Sequence, residues 1–373
     1  MADAPGRRSD QPPADREGPG GDRMTEGEPQ GSMLLALAIG AAGGLAFAWA
    51  QLPLPWMMGA MVATTVASVA GARIRIEVRL RTVMIVVLGV MLGSAFQPAL
   101  LDQIGQWAIS ILGLLVYAVV SAGLVTWYFR KVAGYDAVTS YFASAPGGLN
   151  EMVIVGREMG GDDRVIALTH SARILLVVMT LPFLFRVFTD YTPPAGLLPT
   201  GGALDMPATD WLVLAGCGVA GAWVAKRLRI PAAVLIGPMV LSAIIHVTGV
   251  TQATPPGLLV AVAQVVMGSG IGCRFAGTAI REIVRIVGIS IGSTVILLAL
   301  GVLFGLGIEQ LTGMPWFVLV LAYAPGGLAE MSLVALALGR DVAFVATHHL
   351  FRIGFIVILA PMAFRIMRRT GRV

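Results

Sequence analysis

The chain is 373 residues long, 57% hydrophobic and only 13% charged, with a mean hydropathy of +0.82. A soluble domain has roughly 25% charged and 45–50% apolar residues, so this much apolar surface needs lipid as its solvent and a water-soluble globule is excluded. The net charge of +5 does not point to nucleic acid: most arginines flank apolar segments, and no zinc-finger spacing, helix-turn-helix or basic stripe with interleaved aromatics goes with them.

Residues 1–31 are rich in Pro, Gly and charge and almost free of large apolar side chains, so a disordered tail is expected there, without the arrangement of a signal peptide. Apolar segments then follow at 32–50, 54–71, 83–101 and 107–129, a broken one at 137–155, and another at 165–188. Each approaches the ~20 residues that cross ~30 Å of hydrocarbon as a helix. A proline- and glycine-rich linker, 189–210, separates these from a second series: 211–225, 232–250, 258–272, 286–308, a broken segment at 316–338, and 342–367. Cys217 and Cys273 sit in apolar surroundings and read as small packing residues.

The second series repeats the first. Ala145-Pro146-Gly147-Gly148-Leu149-Asn150-Glu151-Met152 recurs as Ala324-Pro325-Gly326-Gly327-Leu328-Ala329-Glu330-Met331. At the same offset His170 meets His349, Arg173 meets Arg352, Pro182 meets Pro361 and Arg186 meets Arg365. Earlier, Pro53 to Gly59 matches Pro231 to Gly237, and Met91-Leu92-Gly93-Ser94 resembles Val266-Met267-Gly268-Ser269. Matches in order at a near-constant offset indicate duplication, with repeats over 32–188 and 211–373.

Lys and Arg mark the cytoplasmic side of short loops. If the two Pro-Gly-Gly segments enter and leave on one side, every basic cluster falls inside: around Arg79, Arg130, Arg157, Lys226, Arg281 and Arg368. Loops without Lys or Arg then fall outside, and only Arg340 is misplaced. The expected fold is therefore an all-α integral membrane protein with two inverted-topology halves. It has about ten transmembrane helices, two re-entrant Pro-Gly-Gly hairpins meeting near the midplane, an extracytoplasmic linker and both termini in the cytoplasm. The expected location is a bacterial inner membrane.

Inverted repeats with discontinuous helices are a recurrent plan of secondary transporters. Broken backbone in hydrocarbon must be buried in protein or line an aqueous cavity. Pro146, Gly147, Gly148, Pro325, Gly326 and Gly327 are thus candidate substrate- or ion-binding positions, with Asn150 and Ser332 as inequivalent polar neighbours. Glu151 and Glu330 follow the breaks; each is a proton or cation coupling site, a helix-capping carboxylate or a salt-bridge partner. Arg173 and Arg352, deep in apolar spans, need a partner, either the Glu of their own repeat or an anionic substrate. His170 and His349, three residues earlier on the same helical face, read as secondary hydrogen-bonding residues. Asp162 and Asp341 read as helix N-caps. His348 has no counterpart, since Thr169 stands in its place, and His246 reads as structural.

With its two Pro-Gly-Gly-Leu-x-Glu-Met motifs the chain resembles the bacterial AbrB-type membrane protein family, in which each half is an AbrB duplication domain; the resemblance covers residues 33–369. Labels such as ammonia monooxygenase, or regulator of an alkylation-response gene, are carried by members. They imply an enzyme or a control of gene expression. A copper or iron oxygenase needs clustered His or carboxylate ligands, and the four histidines here are scattered. The expectation is a non-enzymatic, ion- or proton-coupled transporter of a small anionic or amphipathic metabolite, with no metal or cofactor and no nucleic-acid partner. A membrane sensor that affects gene expression is the alternative, and a homodimer is suggested by analogy with comparable transporters.

Overall fold

The computed structural model describes residues 31–96, 104–188 and 206–370. Residues 1–30 of the expected tail, 97–101 of the third expected span and 189–205 of the expected linker lie outside them. Within the described residues the chain is helical. Helices α1 (Met33–Trp49), α2 (Pro55–Val69), α3 (Val78–Ser94), α4 (Ile104–Tyr128), α5 (Ala137–Ser144), α6 (Leu149–Glu158) and α7 (Asp163–Phe188) form the first series. Helices α8 (Ala208–Arg227), α9 (Ala233–Val247), α10 (Gly257–Gly272), α11 (Ile280–Thr312), α12 (Trp316–Tyr323), α13 (Leu328–Ala337) and α14 (Val342–Arg369) repeat it in order. A π-helical turn, Phe129–Ala133, continues α4, and a 3-10 turn, Cys273–Phe275, continues α10.

Both expected breaks are present. Pro146 and Pro325 cannot donate to the preceding turn, so α5 stops at Ser144 and α12 at Tyr323, and helix resumes only after the second glycine of each motif. Among the described residues six helices are long and apolar enough to cross a membrane: α4 with its π turn, α7, α8, α10 with its 3-10 turn, α11 and α14. The other four expected spans, α1, α2, α3 and α9, have 17, 15, 17 and 15 residues. Two helix starts differ most from expectation. Helix α3 starts at Val78 and α11 at Ile280, each several residues early, because arginines can occupy a helix's first turns in the interface without interrupting it.

Small residues set the packing. Helix α1 crosses α2 where Gly43 and Gly59 touch backbone to backbone, and α8 crosses α9 at Gly221 and Gly237 in the same way; a Cβ at any of the four would strike the facing glycine. The connecting turns match as well. Gln51 (φ 50°) and Leu54 (φ 46°) hold the left-handed conformation before α2, as Arg229 (φ 54°) and Ala232 (φ 49°) do before α9. Left-handed non-glycine residues are rare, and their recurrence marks a shared turn.

Helix α3 lies on α9, and α10 lies on α2. Gly89 and Gly93 face the carbonyls of Leu235 and Met239; Gly268 and Gly272 face those of Met57 and Met61. The equivalent of Gly93 is therefore Gly272, and the expected match of Met91–Ser94 with Val266–Ser269 is slipped by one helical turn. Glycines four apart lie on one helix face, so the slip preserves the pattern and the sequence match alone did not detect it.

Candidate functional site

The breaks are held by the helix that follows each of them. In an unbroken helix the carbonyl of Phe142 would accept from residue 146, but Pro146 has no N–H. His170 Nε2, on α7, takes that place at 2.9 Å. Likewise Leu321 loses its donor to Pro325, and His349 Nε2 on α14 replaces it at 3.1 Å. Since Nε2 faces a carbonyl in each case it must carry the proton, which leaves Nδ1 as an acceptor. Arg173 Nη2 donates to His170 Nδ1 at 2.8 Å, and Arg352 Nη2 to His349 Nδ1 at 3.0 Å. Both histidines are thus assigned as neutral, single-tautomer imidazoles.

One turn beyond each histidine, the arginine caps the open end of the half-helix. Arg173 Nη1 reaches the carbonyls of Ser144 (3.4 Å) and Ala145 (3.5 Å). Arg352 Nη1 reaches those of Tyr323 (3.3 Å) and Ala324, and its Nη2 that of Gly326 (2.7 Å). A cation at a helix C-terminus is favoured by the negative end of the macrodipole. His-x-x-Arg is therefore a device that restores the hydrogen bonds Pro-Gly-Gly removes. Both arginines are buried, and each Nε–H has no partner among the described residues.

The expected Arg–Glu pair is not formed. Glu151 and Glu330 stand at the third position of α6 and α13 and curl back over the N-cap glycine, so that a Cβ on Gly148 or Gly327 would collide with the carboxylate. That is the reach-back position of a capping acid. Glu330 is buried, whereas Glu151 is half-buried. Among the described residues the ion pairs lie elsewhere, Arg157–Asp163 at 3.7 Å and Arg164–Glu282 at 3.1 Å. Asp162 and Asp341 cap α7 and α14, accepting at 2.9 Å from Val165 N and Phe344 N.

The two breaks come together across the halves. Gly147 packs on Ile356 of α14, α6 touches α14, and α13 touches α7. Buried Tyr117, on α4, donates to the carbonyl of Leu297 on α11 at 3.1 Å. Around the first break Asn150 is exposed; around the second, Ser332 is buried and its hydroxyl has no partner among the described residues. The two polar neighbours of the breaks thus sit in different surroundings.

Two features were not foreseen. Tyr323 donates to the carbonyl of Ser110 at 2.5 Å, while His348, whose Nδ1 faces Phe344 O, accepts from Ser110 Oγ at 2.8 Å. This ties the second break to α4. Its only sequence signal was His348 standing alone opposite Thr169. The other is a cavity of about 800 Å³ between α4, α5 and α14, ending on Ala145 and Pro146.

A family model described as "Transition state regulatory protein AbrB" matches residues 56–368, which include both breaks and both His-x-x-Arg pairs. The chain belongs to the AbrB family. Among its relatives, the Bacillus subtilis (strain 168) protein "Uncharacterized protein YhjN" is 30% identical over 357 residues, covering 89% of this chain and 92% of that one. The Escherichia coli (strain K12) protein "Putative regulator AbrB" is 23% identical over 328 residues, covering 88% and 92%. This AbrB-family chain therefore shares nearly its whole membrane-like helical region with both. Among the described residues no three His, Cys, Asp or Glu side chains form a metal-ligating group.

Proposed function

We propose that this protein is a secondary transporter of a small anion, built from two inverted repeats with ten crossing helices and two re-entrant hairpins. The observation that carries this is the pair of buried guanidiniums at two broken helices, neither joined to a carboxylate among the described residues. Each half-helix end supplies roughly half a negative charge and each arginine one positive charge, so the pair leaves about one positive charge uncompensated. Charge buried at membrane depth is costly without a partner. An anion near Tyr117 and the spare Nε–H groups supplies one.

The short helices α1, α2, α3 and α9 span about 23–26 Å at 1.5 Å per residue, and modest thinning or flanking interfacial residues make up the difference. Glu151 and Glu330 are the candidate coupling carboxylates, and both termini are cytoplasmic. Purified protein in proteoliposomes, tested with small organic and inorganic anions under imposed proton and sodium gradients, should take up at least one above protein-free vesicles. No uptake under any gradient sinks the proposal. Glu151→Gln with Glu330→Gln should abolish the gradient dependence; unchanged coupling removes their role. Cysteines at 157 and 226 should both label from the cytoplasmic face.

The E. coli relative's name favours a second reading, a membrane sensor that uses the same pocket to influence gene expression. Anion binding without flux, with a partner protein recovered from the membrane, would select it.

A further inference from the structure

We infer that the cavity beside the first break binds an amphipathic organic monoanion, an apolar chain with one carboxylate. This deepens the transport reading and rests on it for the claim that the ligand is cargo. The cavity encloses about 800 Å³, the size of pockets that hold drug-sized molecules. From Ala118 to Arg130 its wall along α4 runs about 18 Å at 1.5 Å per residue. That makes it a slot.

Its chemistry is divided by position. Val119, Trp127, Phe355 and Leu359 form apolar walls, and Ala122 and Gly123 are small enough to leave the interior open. Arg130 and Lys131 line one end. Both are exposed, and neither makes an ion pair among the described residues. They sit on the π-helical turn Phe129–Ala133, so two consecutive cations border one cavity. Such turns are frequent at functional sites. Ala145 and Pro146 also border the slot, where the carbonyl of Ala145 is already bonded to Arg173; Ser144 just before them is bonded to Thr126 at 2.7 Å, about one turn of α4 from Arg130. A chain anchored at Arg130 and Lys131 would lie along the slot and pass the break on its way toward Ala118.

Lysines and arginines at a helix end also serve as interfacial anchors that meet lipid phosphates. An anchor needs no cavity behind it, and here the cations border a slot that also borders the broken backbone. Trp127, which lines the slot, is 57% exposed, so an amphiphile dissolved in the leaflet would enter past it.

Trp127 provides the readout. Quenching of its fluorescence, taken as the difference between the native protein and Trp127→Phe in lipid nanodiscs, should be measured with three probes. These are a brominated medium-chain alkyl carboxylate, the matching brominated alcohol and brominated phosphatidylglycerol. The carboxylate should quench saturably and bind about tenfold or more tighter than the alcohol, as expected for charge-assisted contacts. Arg130→Gln with Lys131→Gln should erase that preference, Arg130→Lys with Lys131→Arg should keep it, and Ala122→Phe should block the slot. Equal binding of acid and alcohol, or quenching only by the phospholipid without competition from the carboxylate, overturns the inference. Uptake of the same carboxylate separates the two proposals: binding without flux leaves this one standing and removes the carboxylate as cargo, and flux of another anion without cavity binding defeats this one and leaves transport standing.

Discussion

The two breaks share one sequence and are anchored differently. At the first, Arg173 reaches its carbonyls at 3.4 and 3.5 Å, the half-helix ends in Ser144 bonded to Thr126 Oγ1 at 2.7 Å, and the flanking residues are partly exposed beside a cavity. At the second, Arg352 grips three carbonyls, one at 2.7 Å, and the half-helix ends in Tyr323, pinned to Ser110. Here every residue from Leu328 to Ser332 is buried. A duplicated motif can thus yield one rigid and one adaptable element, depending on what the rest of the chain places beside it.

The largest expected effect is at the arginines. Arg352→Leu strands three carbonyls and His349 Nδ1 in an apolar core, and each stranded group costs about 1–3 kcal/mol. The purified variant should lose most of its monodisperse, folded fraction on heating in detergent. Arg173→Leu breaks longer bonds at a break whose glycines are only half-buried, so it should cost at least ~1 kcal/mol less. Equal losses would remove the distinction between a rigid and an adaptable break.

The next effect is steric. Gly327→Ala drives a Cβ into the carboxylate of Glu330, which is buried and only 7% exposed. A cost of about 1–3 kcal/mol is expected from overpacking. At Gly148 the collision is with Glu151, which is half-buried and has room to swing away, so Gly148→Ala should cost under ~1 kcal/mol. Adding Glu330→Ala to Gly327→Ala should recover part of the loss, a coupling that a double-mutant cycle measures.

Local chemistry was legible wherever a residue type has few physical uses. Pro-Gly-Gly read as a helix break because proline lacks an N–H, and Asp162 and Asp341 read as caps because a short carboxylate before a helix has that use. The arginine partners were harder. A buried arginine calls for a counter-charge, and sequence named glutamate or an anionic substrate, whereas the compensation within the chain is carbonyl oxygen exposed by the break itself. Nothing in a linear pattern shows that Pro146 leaves Phe142 O free for His170. The register of α3 against α10 failed because helical periodicity tolerates a one-turn slip. Tyr323, Ser110 and the cavity had no signal, since each depends on which helices become neighbours.

A smaller effect tests the second anchor directly. Tyr323→Phe removes one buried hydrogen bond, worth about 1 kcal/mol, while keeping the ring against Tyr117 at 5.5 Å. Amide exchange over residues 324–330 should speed up in this variant. Tyr141→Phe, which removes the bond to Ala360 O at 3.0 Å, should change exchange over residues 145–151 less, since that segment is already more open.

The smallest difference should lie at the caps, which tells whether the inequality belongs to the breaks or to the halves. Asp162 and Asp341 accept the same bond at the same 2.9 Å, each before the helix that carries His-x-x-Arg. Replacing either with alanine should cost about 1 kcal/mol, with the two values within ~0.5 kcal/mol of each other, as distant sites with matching geometry behave independently. Thermal unfolding of the two variants side by side measures this. If Asp341→Ala proves far more damaging, rigidity is a property of the whole second half, and the Tyr323–Ser110–His348 tie is a consequence of it. If the two agree while the arginine and glycine pairs diverge, the asymmetry is confined to the breaks, where a moving element needs it.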